Sequence, residues 1–217
     1  MWKRAREESR MMIGVDTETR PETRIIPGRD DALIIVDVQN DFLPGGALAI
    51  DNGDAVIAPL NRLAKLDFGC VVATQDWHPA NHLSFHAQGG AWPAHCIRGS
   101  AGAAFADALD TGPITHIIRK GVRADRDSYS GFFDNSGQFS TGLDGLLHAL
   151  GIRRVLIGGL ALDYCVAATA RDAARLGFTT LVIEDACRAV DSGNRQIHAQ
   201  LSSETIMLIS SPDIIGA

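Results

Sequence analysis

Val155-Leu156-Ile157-Gly158-Gly159-Leu160-Ala161-Leu162-Asp163-Tyr164-Cys165-Val166 carries an apolar run straight into a helical pattern. The run from Val155 to Gly158 reads as a strand. Over 163–176, Ala167, Ala170 and Ala174 recur at helical spacing and give a helix a buried face, and Gly177 stands where a helix commonly ends. The junction sets a thiol in the first turn of that helix. There the positive end of the helix dipole, with a nearby cation, favours the thiolate. Asp163 is the expected cap of the helix.

The same alternation repeats outward in both directions. Leu33-Ile34-Ile35-Val36-Asp37-Val38 is a continuous apolar run that ends in a polar cluster, the pattern of a strand covered on both faces. A helix is expected over 54–66, a strand over 69–74, a short helix near 102–109 and a strand over 116–119. A helix near 140–150 precedes the Val155 strand. Beyond Gly177 follow a strand over 178–183, a helix over 192–203 and a strand over 205–209. Strands separated by helices in this order predict one open parallel sheet of about six strands with right-handed crossovers. Helices cover both faces, a Rossmann-like three-layer α/β/α domain over residues 30–217. Residues 1–29 show no sustained period and read as an N-terminal arm. In such sheets ligands bind beyond the carboxyl ends of the strands. No Gly-x-Gly-x-x-Gly follows a strand, so dinucleotide binding has no support.

Composition narrows the function classes. The chain has 217 residues, 46% of them apolar, and a net charge of −6. An acidic chain without a basic stripe is a poor match for nucleic acid. No apolar run approaches the roughly 20 residues that span a bilayer. The charged N-terminus lacks the apolar stretch of a signal peptide. Cys70, Cys96, Cys165 and Cys187 are scattered through a chain large enough to fold without disulfides, so they are expected as thiols in the cytoplasm.

Four expected strand ends carry four different chemistries. Cys165 follows one. Gly158 and Gly159 just upstream permit the close backbone approach that an oxyanion hole of main-chain N–H groups needs. Cys70 and Cys187 flank apolar strands and are assigned to the core. Asp37 ends the first strand, where burial raises a carboxyl pKa and suits it to general-base work. A turn-forming role explains the same residue equally well. Lys120 closes the third strand, and its charge there favours both a thiolate and a carboxylate.

The stretch 77–100 is rich in Trp, His, Pro and Gly and has no period, which marks a functional loop. Asp76 and His78 lie two apart on an extended segment, so their side chains share a side. His95 adds a second imidazole. Asp with two His suits zinc, iron or manganese better than calcium and leaves positions for water or substrate. His82 and His86 lie between them as candidates for a fourth ligand or supporting contacts. His116, His148 and His198 fall within regular patterns and are assigned structural roles. Phe42, Trp92 and Tyr129 lie near the candidate groups and are suited to wall a pocket for a flat ring.

These blocks, in order, resemble the nicotinamidases of the isochorismatase-like cysteine hydrolase superfamily. They are Val36-Asp37-Val38-Gln39-Asn40-Asp41-Phe42, Gln75-Asp76-Trp77-His78-Pro79, Asn81-His82-Leu83-Ser84-Phe85, Trp92-Pro93-Ala94-His95-Cys96, Lys120-Gly121, Tyr129-Ser130-Gly131-Phe132 and Asp163-Tyr164-Cys165-Val166. The resemblance implies Asp37, Lys120 and Cys165 as the catalytic triad. It implies Asp76, His78 and His95 as ligands of one divalent transition metal, zinc before iron or manganese, with His82 as an additional candidate. Phe42, Trp92 and Tyr129 then contact the pyridine ring. It also implies a cis peptide at Leu160-Ala161, with the N–H groups of Ala161 and Cys165 forming the oxyanion hole. The implied reaction is hydrolysis of nicotinamide, with pyrazinamide as a second substrate and a homo-oligomer as a candidate assembly. A ureido or N-carbamoyl amidohydrolase, and a non-catalytic sensor of a pyridine ligand, are the alternatives.

Overall fold

The computed structural model describes residues 24–191 and 195–217. Six strands form one sheet: β1 Asp31–Val36, β2 Cys70–Asp76, β3 His116–Lys120, β4 Arg154–Leu160, β5 Thr179–Arg188 and β6 Met207–Ile209. Their spatial order is β3-β2-β1-β4-β5-β6, every pair parallel. The helices are α1 Ile57–Leu63, α2 Leu143–Ala149, α3 Ala167–Arg175 and α4 Arg195–Ser203. The order reverses direction between β1 and β4, the switch point where doubly wound sheets bind ligands.

The period-2 geometry of a strand explains why β1 reads as unbroken apolar sequence. Leu33 and Ile35 point to one face, where they pack with Leu60 and Leu63 of α1. Ala32, Ile34 and Val36 point to the other, against Leu147 of α2, Ala170 of α3 and Leu201 of α4. All five strand residues are fully buried. Burying each large aliphatic side chain contributes about 1.5–3 kcal/mol, so both layers pull on the same strand.

Several expectations need correction. Residues 102–109 form successive turns and not a helix. Here the segment is held from outside: Asn40 donates to the Ala104 carbonyl, and Gln39 pairs with Phe105. The helix carrying Cys165 opens as a π-helical turn over Leu162–Val166 before α3 begins. Asp163 makes no capping bond; Ala161 occupies the cap position instead. Gly159 does permit a close approach, but to a neighbouring strand. Its φ is +131°, and a Cβ there would lie 2.1 Å from the Val36 carbonyl oxygen. The arm expected over residues 1–29 lies outside the described residues as far as residue 23. Within the described part, Ile25 is buried and bridges to Ile214. Residues 192–194 of the expected last helix also lie outside it.

Candidate active site

The carboxyl ends of β1 to β4 converge, and each delivers one of the polar groups. Asp37 follows β1 with φ of +49°, a left-handed backbone that Asp tolerates better than most residues. Thr74 of β2 holds it there. The Thr74 hydroxyl accepts from the Asp37 N–H at 3.2 Å and donates to Asp37 Oδ1 at 2.6 Å. Asp76 ends β2 opposite Lys120 in the register of β3, so the two side chains leave the sheet on the same face.

Lys120 is the electrostatic centre. Its Nζ lies 2.8 Å from Asp37 Oδ2, 2.6 Å from Asp76 Oδ1, 3.0 Å from the Ser128 carbonyl and 3.4 Å from Cys165 Sγ. The lysine side chain is wholly buried. Burial opposes its charge, but Asp37 and Asp76 more than compensate, and its pKa is held well above the ordinary value. For Asp76, burial works upward, yet Lys120 and His78 outweigh it and keep the carboxylate ionised. For Asp37 burial prevails, and its pKa is raised despite Lys120. The reactive oxygens and sulfur of Asp37, Asp76 and Cys165 lie within 4.8 Å of one another. Apart from the ion pair with Lys120, Asp37 Oδ2 has no hydrogen-bond partner among the described residues, so it keeps acceptor capacity for a proton.

Opposing influences act on the Cys165 thiol. Burial, with Asp37 and Asp76 nearby, pushes its pKa well above the ordinary value against the pull of Lys120. A base beside the sulfur therefore favours its reaction, and Asp37 stands within 4.8 Å of it. The other three cysteines are free and buried as well. Burial alone pushes Cys70 up to about 11.

Asp76, His78 and His95 bring one ligand atom each within 4.8 Å of the others. The surroundings fit a metal. His78 Nδ1 donates to the Gly121 carbonyl at 2.8 Å, and His95 Nδ1 donates to the Pro93 carbonyl at 2.8 Å. Each bond leaves Nε2 as the lone-pair nitrogen, the arrangement seen for ligating histidines. Asp76 Oδ1 is taken by Lys120, while Oδ2 faces His78 Nε2 at 3.5 Å. Burial lowers the His95 pKa and so favours the neutral, ligating ring. This donor set is fit to hold a divalent metal ion.

His82 is placed differently. Its ring stacks on His78 at 4.0 Å, and its nitrogens are engaged by Ser84 Oγ at 2.7 Å and the Arg126 carbonyl at 2.9 Å. It groups with His78 and Asp127, not with Asp76 and His95. His86 is exposed and bonds the Gly90 carbonyl.

A cavity opens onto the thiol. Phe42, Trp92, Tyr129, Ala161 and Cys165 line it together with Asp76 and His95. The peptide between Leu160 and Ala161 is cis. Sequence reasoning missed Leu48, Ile50, Asp127, Tyr164 and Val190, which also face the cavity. Tyr164 was in plain view beside Cys165; its ring meets Trp92 and Tyr129 edge-on at 5.2 and 5.5 Å. Leu48, Ile50 and Val190 carry no local signal. Gln39 and Thr74 were missed as supports. The Gln39 amide receives from the Asp76 N–H and donates to its carbonyl, both at 2.8 Å, and so pins that residue's backbone.

A thiol and a carboxylate flank the switch point of this sheet, an arrangement suited to a cysteine hydrolase of the α/β class. The chain belongs to the isochorismatase family: the Isochorismatase domain matches residues 31–210. It is similar to the nicotinamidase of Acinetobacter baylyi, 40% identical over 212 residues that cover 89% of this chain and 99% of the relative. Among solved structures it resembles PnC1 from L. infantum in complex with nicotinate, with a TM-score of 0.87 and 44% identity. That likeness covers 89% of this chain and all of the other. It also resembles the pyrazinamidase of Pyrococcus horikoshii in complex with zinc, with a TM-score of 0.75, 37% identity and 83% and 99% of the two chains covered.

Proposed function

We propose that this protein is a metal-containing cysteine amidohydrolase that converts nicotinamide to nicotinate and ammonia, with pyrazinamide accepted in the same way. The observation that carries this reading is that Cys165, Asp76 and His95 line one aromatic-walled cavity, with Asp37 and Lys120 gathered behind the thiol and His78 beside Asp76 and His95. The nicotinamidase relative and the nicotinate-bound neighbour support the substrate. Zinc is the proposed ion, with iron and manganese as alternatives; the zinc-bound pyrazinamidase supports that order. Asp76, His78 and His95 would hold a divalent ion, which would supply a positive centre that attracts the pyridine nitrogen.

Phe42, Trp92 and Tyr129 bind the flat ring and present the carboxamide to Cys165. Asp37 takes the thiol proton as Cys165 Sγ bonds to the amide carbon. The carbon–nitrogen bond then breaks, and the proton passes from Asp37 to the nitrogen, which leaves as ammonia. A thioester remains on Cys165. Water gives a proton to Asp37 and adds to the thioester carbon. The carbon–sulfur bond breaks, the proton on Asp37 returns to the sulfur, and the acid formed loses its remaining proton to solvent as nicotinate. The N–H groups of Ala161 and Cys165 hold the oxyanion in both halves, a contribution commonly worth about 3 kcal/mol per donor. Lys120 keeps two neighbouring carboxylates and the developing thiolate compatible in one buried space. A cytoplasmic setting is supported by the four free thiols, and no described helix is long and apolar enough to cross a membrane.

Ammonia release from nicotinamide, measured before and after chelation and with zinc, iron or manganese added back, tests the reading. Metal-dependent release is the expected result. Chelator-insensitive turnover of a ureido substrate, with nicotinamide inert, would replace it.

A further inference from the structure

Asp163 does not cap its helix, and its carboxylate is used elsewhere. Oδ1 accepts from the Val190 N–H at 3.0 Å, and Oδ2 accepts from the Asp191 N–H at 3.0 Å. Both oxygens of one side chain thus grip two consecutive main-chain donors. Charge-assisted bonds of this kind are directional and stronger than neutral ones. Asp163 itself sits on a held backbone, the π-helical turn closed by Tyr164 N–H and Val166 N–H on the Ala161 carbonyl at 3.1 and 3.0 Å. Two residues along that turn is Cys165. At the other end of the grip, Val190 lines the same cavity as Cys165 although nearly half of it is exposed. It is the contribution of the β5–α4 connection to that cavity among the described residues.

From this juxtaposition we infer that Asp163 is a positioning residue that fixes the Val190 wall relative to the nucleophile and thereby sets which ring substituents the cavity accepts. The inference rests on the nicotinamide reading above. An apolar wall rejects an extra methyl group only if it cannot retreat. A fixed wall changes kcat/KM by about tenfold per methyl group, and a freed wall loses that discrimination. Asp163 reaches the substrate through Val190 and does not touch the reacting atoms.

The test compares kcat/KM for nicotinamide with kcat/KM for a series of ring-methylated nicotinamides, using the metal-loaded full chain. The ratio of the two constants is independent of the fraction of active enzyme, so a variant that folds poorly still reports on selectivity. Asp163→Ala is expected to raise the ratio for one methylated isomer by about fivefold or more, and Val190→Ala should raise it for the same isomer. Asp163→Asn keeps one acceptor oxygen and should fall between. Ratios in Asp163→Ala within about twofold of wild type, or a rise at a different ring position from Val190→Ala, overturn the inference. Failure of the underlying function looks different, because wild type itself then releases no ammonia from nicotinamide.

Discussion

Lys120 Nζ stands 2.6 Å from Asp76 Oδ1, and this contact joins the proposed metal ligands to the proposed catalytic triad. The same ammonium lies 2.8 Å from Asp37 Oδ2. Two buried carboxylates within 4.8 Å of each other are tolerable only with a cation between them. Lys120 therefore has a structural task as well as a chemical one.

Lys120→Met should reveal both. Removing one partner of a buried ion pair commonly costs about 3–5 kcal/mol, because the charge left behind has no compensation. Urea unfolding of the variant should show a loss of that order, alongside loss of ammonia release. A stability change below about 1 kcal/mol would mean that Asp37 and Asp76 do not depend on the lysine.

Cys165→Ala should lower kcat on the order of 10⁴-fold or more while leaving the unfolding midpoint near that of wild type. Nicotinate should still bind, since the aromatic wall and the metal set are unchanged. Near-normal turnover by this variant would falsify the covalent route.

Gly121 is a less obvious target. Its φ is +60°, and a Cβ there would come within 2.3 Å of His78 Cε1. Its carbonyl is also the acceptor that orients His78 Nδ1. Gly121→Ala should therefore displace the ring and weaken metal affinity about 10–100-fold, as losses around ligating histidines commonly do. Competition with a chromophoric chelator measures this directly; an unchanged affinity would remove His78 from the ligand set.

The acid limb of the kcat/KM profile should report Asp37. A base must be ionised to accept the thiol proton, so activity is present above its pKa and lost as pH falls through it. Burial raises that pKa, so the limb should fall above the ordinary carboxylate value of 3.8. Thr74→Val deletes a donor to the charged form at Oδ1 and should move the limb further upward. A limb at or below the ordinary value, unmoved by Thr74→Val, would point to another titrating group.

Much of this protein was legible in one dimension. The parallel sheet follows from apolar runs such as Leu33–Val36, because strands covered on both faces have no polar side to show. Asp37, Asp76, Lys120 and Cys165 could be singled out because each stands where an apolar strand ends, and strand ends in this architecture share one edge. What stayed hidden depends on contacts between segments distant in sequence. No local pattern tells that Thr74 and Gln39 steady Asp37 and Asp76, or that Leu48, Ile50 and Val190 meet across one cavity. The protonation of Cys165 also needed three dimensions. A helix start favours the thiolate, while burial beside two carboxylates pushes the thiol pKa up. Asp163 shows the same division: its sequence position fits a helix cap, while folding brings Val190 and Asp191 close enough to claim both oxygens. Periodicity reports which side of an element is buried, and only the packed chain determines what lies on the other side of the contact.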